Sequence, residues 1–305
     1  MHIITGNNGF VGGNLTHFLK NHHLNVLGVS RNPEGENEIP FEKLTVAQCK
    51  NAASIIHLAG KAHDLKKTAN EIEYFEINTE LTKQLFDTFL QSDCPVFIYM
   101  SSVKAVADAV CGVLSEDIMP NPITPYGKSK LAAENYILSK KISSNKRLYI
   151  LRSCMIHGPG NKGNLNLLYK IVSKNIPWLL GAFYNKRSFC SIDNLLFVIK
   201  ELIEREDIPS GIYNIADDEP LSTNELISLI AESQNRKPNV WKIPKGFIEG
   251  LAKLGYVLHL PLNTERLQKL TDSYVISNQK IKDAIGKSLP VSSRDGLFKT
   301  FKSFK

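Results

Sequence analysis

Cysteine is scarce in this chain, with five in 305 residues, at positions 49, 94, 111, 154 and 190. They show no close pairing, no Cys-x-x-Cys and no His partner pattern that would make a zinc site, so the reading is reduced core or surface thiols, no disulfide framework and no metal site. Long apolar runs are missing too. "VFIYM" (96–100) is typical, far below the roughly 20 residues that cross a bilayer, so no membrane insertion is expected. Met1 runs straight into "HIIT" with neither a basic head nor a small-residue cleavage site, and the expected compartment is the cytoplasm. Repeats and low-complexity tracts are absent. The net charge of +7 and pI near 9.0 come from cations interleaved with Asp and Glu, which speaks against a nucleic-acid partner and for an anionic small molecule. The lysines of the closing "LFKTFKSFK" read as a solvated tail.

What is present is enough apolar residue, 43%, to bury a core of one or two domains. Through the first half, short apolar runs alternate with amphipathic segments: "HIIT", a helix over 10–21, "NVLGVS", "SIIHLAG", a long helix over 71–92, "VFIYMSS", a helix over 125–143 and "RLYILRS". That alternation predicts an α/β fold with a doubly wound parallel sheet. After Ser153 the texture changes to helices such as "TNELISLIAESQ" and "PKGFIEGLAKLG", with short strands such as "GIYNI". The expected division is a nucleotide-binding domain over 1–155, a smaller mixed lobe over 156–305, and chain crossings near 185–215.

Three motifs carry chemistry. "TGNNGFVGG" spaces Gly6, Gly9 and Gly12 between a strand and a helix, where glycines permit a tight turn and close approach to a pyrophosphate at the helix N-terminus. "TPYGKSK" puts Tyr126 and Lys130 four residues apart on one helical face, so that an ammonium can favour the phenolate; a surface pair is the bland alternative. Ser101 and Ser102 end the "VFIYM" strand, at the edge where parallel sheets bind ligands.

Together, "TGNNGFVGG", "HLAG", "YMSS", "PYGKSKLAAE", "LRSCMIHGPG" and "KRSFCSIDNL" resemble, in order and over most of the chain, the extended short-chain dehydrogenase/reductase family of nucleotide-sugar epimerases, dehydratases and reductases. The resemblance implies a Rossmann domain with a nicotinamide cofactor, a C-terminal lobe for a nucleotide diphosphate sugar, and Ser102, Tyr126 and Lys130 as the catalytic trio. It also implies cofactor contacts from Phe10 and Val11 beside the three glycines, from Leu58, Ala59 and Gly60 of "HLAG", and from Asn78 on the long helix. "GPGNKGNLNLL" resembles the family's diphosphate-binding segment, making Asn164, Lys162 and Arg187 candidate substrate contacts, with Arg266 a further one; for Lys162 and Arg266 a solvated-surface reading stands equally open. Ser153 and His157 depart from the Pro and Tyr common in the family, and His157 reads as structural. A homodimer through the two long helices is implied by resemblance alone.

The second strand ends in Ser30 and Arg31, where an acid holding the ribose of NAD is common and an Arg accommodates the extra phosphate of NADP. This favours NADP(H) over NAD, with Asn32 still able to reach the ribose. Val103 and Lys104 follow the serine, where family dehydratases place carboxylates, so a dehydratase is disfavoured. The sequence therefore predicts an NADPH-dependent reductase of a UDP-linked 4-keto sugar serving surface-polysaccharide synthesis. A UDP-hexose or UDP-N-acetylhexosamine 4-epimerase with tightly held NAD is the near alternative, and a non-catalytic NADP-binding regulator is the alternative of a different class.

Overall fold

The computed structural model describes residues 1–62, 70–161, 163–257 and 263–304, with the side chains of 255–257, 265, 266 and 269 outside that set. β1 (His2–Thr5) leads into α1 (Phe10–Asn21), β2 (Val26–Ser30), β3 (Glu38–Pro40), α2 (Val46–Cys49) and β4 (Ser54–His57). α3 (Glu71–Phe75), a π-helical turn (Glu76–Glu80) and α4 (Leu81–Gln91) precede β5 (Val96–Ser102), β6 (Val113–Leu114), α5 (Pro125–Ser139) and β7 (Arg147–Ser153). There follow β8 (Met155–His157), α6 (Asn164–Ser173), β9 (Phe189–Ser191), α7 (Ile192–Glu204), β10 (Gly211–Ile215) and α8 (Thr223–Ser233). The chain ends with α9 (Lys245–Val257), α10 (Thr264–Thr271), β11 (Val275–Ile276), α11 (Gln279–Ile285) and α12 (Ser293–Ser303).

Seven strands form one sheet in the order β10-β7-β5-β4-β1-β2-β3, every pair parallel. Its central strands are apolar through their middles and buried on both faces, as a sheet covered by helices on each side requires; all seven residues of β5 are buried. On one face, Leu15 and Leu19 of α1 meet Leu195, Val198, Ile199 and Leu202 of α7. On the other, Phe86 and Phe89 of α4 and Ala133 and Ile137 of α5 pack on Phe97, Tyr99 and Ile150. The strand order reverses at β1, which pairs with β2 on one side and β4 on the other. Ligands of such sheets bind beyond the carboxyl ends of the strands at that reversal.

A second core, around Trp178, Leu226, Ile230, Leu297 and Phe301, belongs to the C-terminal lobe. The chain returns to the main sheet through α7 and β10, so "GIYNI" pairs with β7 and joins the first half's sheet. The expected helix over 71–92 is broken by the π turn, and the helix starting at Pro125 ends at Ser139. Pro125 fits that helix start because its missing N–H has no partner there anyway, while Thr124 caps it by accepting from Gly127 N at 3.2 Å.

Beneath the sheet's carboxyl edge, His57 is fully buried between two hydroxyls, Thr5 Oγ1 at 2.7 Å and Thr82 Oγ1 at 2.9 Å. Thr82 donates onward to Asn78 O (2.7 Å), and Ala59 N donates to Thr5 Oγ1 (3.2 Å). These directions fit one neutral tautomer, protonated on Nε2. Burial first, and the Lys130 charge second, depress its pKa to about 3. A depressed folded pKa contributes stability above the unfolded value that fades as pH falls toward the folded one. Between about pH 6.5 and 3, His57 is expected to remove up to about 1.4 kcal/mol of stability per pH unit. Urea melts of wild type and His57→Gln across that range test this; parallel pH dependences would show that His57 has no part in acid lability.

Candidate active site

The loop between β1 and α1 is built for close approach. Gly6 sits at φ +70°, and a Cβ at Gly12 would lie 2.2 Å from Gly6 O, so only glycine fits either position. Gly9 caps α1 with no side-chain hydrogen bond, and the first turn carries no acid. The N–H groups of Phe10, Val11 and Gly12 have no carbonyl four residues back within the helix. This cradle fits the pyrophosphate of a dinucleotide.

Leu58, Ala59 and Gly60 follow β4 on the other side of the reversal. A Cβ on Gly60 would meet Asn78 Oδ1 at 3.0 Å and Lys130 Nζ at 3.1 Å, so the glycine lets three segments converge. Asn78 lies in the π turn, a device frequent at functional sites. Its Oδ1 accepts from Lys61 N (2.8 Å), and its Nδ2 donates to Lys61 O and Ser129 Oγ (3.0 Å each). Ser129 Oγ in turn donates to Tyr126 O at 2.8 Å. Asn78 thus braces the tyrosine's helix against the cofactor loop.

Alternation along β5 sends its last two serines opposite ways. Ser101 bonds to buried Glu134, which also takes Arg152 in a bidentate pair, with Nη2–Oε2 at 2.6 Å and Nε to both oxygens at 3.1 Å. Ser102 faces the cleft. Its Oγ accepts from Lys104 N at 3.2 Å, and beside it Tyr126 is half-buried: burial raises the phenol's pKa and the Ser102 hydroxyl pulls it back. Lys130, 5% exposed, donates to Met100 O (2.9 Å) and lies 4.9 Å from the Tyr99 ring centroid. Burial lowers its pKa to about 8, with Glu134 opposing, so the ammonium stays mostly charged at neutral pH.

Two further contacts hold the loop after Ser102. Asp108 accepts from Ile123 N (2.7 Å), Thr124 N (3.0 Å) and Thr124 Oγ1 (3.0 Å), tying that loop to the cap of α5. Burial raises its pKa, but these donors and Lys104 outweigh it and leave the carboxyl below its usual range. Tyr274, from the C-terminal lobe, donates to Ala107 O at 2.6 Å. Sequence reasoning missed Glu134, Asp108, His57 and Tyr274. Only Glu134 carried a signal, a lone acid in "SKLAAEN" two turns after Tyr126.

On the substrate side, Asn164 is exposed in the first turn of α6, and half-buried Arg187 donates through Nε to Asp272 O at 3.1 Å. Lys162 and the side chain of Arg266 lie outside the described residues. Ser153 is buried and donates to Ser101 O at 3.4 Å. His157 is buried between Thr300 Oγ1 (2.9 Å) and Asp217 Oδ2 (3.4 Å), a structural tether.

A pyrophosphate cradle beside a Ser–Tyr–Lys constellation defines an enzyme that works with a nicotinamide cofactor. The chain belongs to the NAD dependent epimerase/dehydratase family, whose model matches residues 2–216. It is 28% identical to the UDP-glucose 4-epimerase of Vibrio cholerae over 99% of this chain and 94% of that protein. Among solved structures it is similar in fold to UDP-glucuronic acid 4-epimerase from Bacillus cereus in complex with NAD (TM-score 0.75, 20% identity, 100% and 98% of the two chains). It is also similar to WbmG from Bordetella bronchiseptica in complex with NAD and UDP (TM-score 0.76, 15% identity, 99% and 94%).

These findings overturn the expectation of an NADPH-dependent reductase: the fold neighbours hold NAD, and the relative matched over nearly its whole length is a 4-epimerase. The reading of Ser30 and Arg31 as an NADP signature is corrected with it. Arg31 is exposed, whereas the buried Ser30 is tied to Asn8 Nδ2 at 3.4 Å, and Asn8 also donates to Asn32 O. A single cation in solvent does not make a phosphate site, which needs converging donors. The regulator alternative is set aside, because the chain belongs to a family of enzymes.

Proposed function

We propose that this chain is an NAD-dependent 4-epimerase of a UDP-linked sugar. The observation that carries the reading is Tyr126 beside Ser102 as the acid–base group among the described residues of the cleft, with Val103 and Lys104 after the serine in place of carboxylates. One such group suffices to take a proton from a carbinol and return it, but not to eliminate water. The likeness to the Vibrio cholerae 4-epimerase supports epimerisation over net reduction.

Bound NAD supplies a reversible hydride acceptor at C4 of the sugar. Ser102 holds the C4 oxygen by a hydrogen bond. Tyr126 takes the hydroxyl proton as C4 is oxidised and gives it back to the same oxygen when the 4-keto sugar is reduced on its opposite face. Lys130 sets a positive charge near the reacting centre, favouring the phenolate. The start of α6 with Asn164, and Arg187 from the facing segment, hold the diphosphate. Gly6, Gly9, Phe10, Val11, Gly12, Leu58, Ala59 and Gly60 line the cofactor path. A homodimer through α4 and α5 is part of this reading, supported by Leu138 standing exposed on α5.

The test is made on the protein as purified. Nucleotide released on denaturation is expected to be NAD, and UDP-glucose or UDP-N-acetylglucosamine is expected to yield its C4 epimer with no net change in NADH. An empty site that prefers NADPH, with consumption of NADPH on a 4-keto sugar, would overturn the reading.

A further inference from the structure

One face of α9 is apolar and open to solvent. Phe247, Leu251 and Leu254 are 61%, 43% and 53% exposed, and their spacing of four and three stacks them along one face of the helix. Ile248 and Ala252, on the neighbouring face, are buried in the lobe's core. A surface helix ordinarily turns polar residues outward; here the outward face continues the inward one. Exposed Trp241 precedes the helix, and exposed Tyr184 lies beside its start, its ring centroid 6.0 Å from Lys245 Nζ. Lys245 thus joins the 183–184 turn to the start of α9.

Its charge is predominantly positive. Between 236 and 257 the chain carries Arg236, Lys237, Lys242, Lys245 and Lys253, all exposed, against the single carboxylate of Glu249. A second copy of this chain meeting the patch in an isologous contact would set these cations against themselves. An anionic surface would satisfy them. Phe, Leu and Trp flanked by lysines is the composition of a helix lying in the plane of a membrane interface. Among the described residues no helix is long and apolar enough to cross a membrane, so contact of this kind is peripheral.

We propose that α9 with Trp241 is a docking surface for an anionic lipid bilayer. The apolar stripe enters the boundary between headgroups and acyl chains while the lysines meet lipid phosphates. A lobe held there would present the substrate cleft to sugar diphosphates at the membrane surface.

The experiment is sedimentation of the full-length protein with vesicles of phosphatidylglycerol and phosphatidylethanolamine, and with vesicles of phosphatidylcholine alone. The readout is binding, so it stands or falls independently of the epimerase reading. Wild type is expected to pellet with the anionic vesicles and remain in solution with the neutral ones. The triple variant Phe247→Ser, Leu251→Ser, Leu254→Ser is expected to bind about tenfold more weakly, and Lys242→Glu with Lys245→Glu to lose the preference for anionic lipid. Circular dichroism and turnover of a soluble UDP-sugar should be unchanged in both variants. Wild type left in the supernatant, or a triple variant that pellets equally well, would overturn the proposal. So would a triple variant that keeps its fold but falls to a smaller oligomer by light scattering, which would make α9 an interface between copies.

Discussion

Replacing Tyr126 with Phe is expected to lower turnover of a UDP-sugar by about 100- to 10,000-fold, the range of a lost general acid–base group. The substitution removes one oxygen and keeps the ring, so Tyr126 still fills its half-buried place, 6.3 Å from the Tyr74 ring. Cofactor content and thermal midpoint should therefore stay close to wild type. Because one phenol serves both the oxidation and the return, forward and reverse rates should fall together. A Phe variant that retains a tenth or more of the activity would remove Tyr126 from the reaction.

The second large effect is structural. Glu134→Ala should cost about 3–5 kcal/mol, because it leaves a buried guanidinium unpaired. Arg152 is 3% exposed, and its Nη1 already has no hydrogen-bond partner, so nothing replaces the lost carboxylate. Urea midpoints at constant m-value would measure the loss. The double replacement Glu134→Leu, Arg152→Met should recover most of it, since an apolar pair of similar volume is often as stable as a buried ion pair. Glu134 also raises the pKa of Lys130, so an active variant lacking the carboxylate should show the basic limb of its pH–rate profile at lower pH. A loss below about 1 kcal/mol would mean that water reaches Arg152 and that the pair contributes no more than a surface bridge.

Features governed by neighbouring residues were legible in the sequence. Glycine spacing after an apolar strand, and a tyrosine and lysine one turn apart behind a proline, are local patterns with local causes; they foretell the cradle around Gly6 and Gly12 and the face of α5. Features assembled from distant segments were not. The chain from Ala59 through Thr5, His57 and Thr82 to Asn78 joins residues up to 54 apart, and each hydroxyl alone resembles any other strand or helix residue. The π turn at Asn78 has no composition that separates it from the helix around it. Arg31 misled for a related reason: its charge is visible in the sequence, while its exposure, and the tie between Ser30 and Asn8, depend on folding.

The edge position of β10 limits how such a protein can be assembled from parts. A gene segment ending near residue 155 would encode the glycine loop, Ser102, Tyr126 and Lys130, yet its sheet would stop at β7, with the pairing edge taken by Gly211–Ile215 left bare. The face covered by Ile192, Leu195, Val198 and Ile199 would lie open as well. The nucleotide half is thus not a cassette that recombination can transplant by one cut. Exchange of substrate lobes between relatives must spare the returning stretch of α7 and β10, so variation in sugar preference is expected to accumulate in the segments on either side of it.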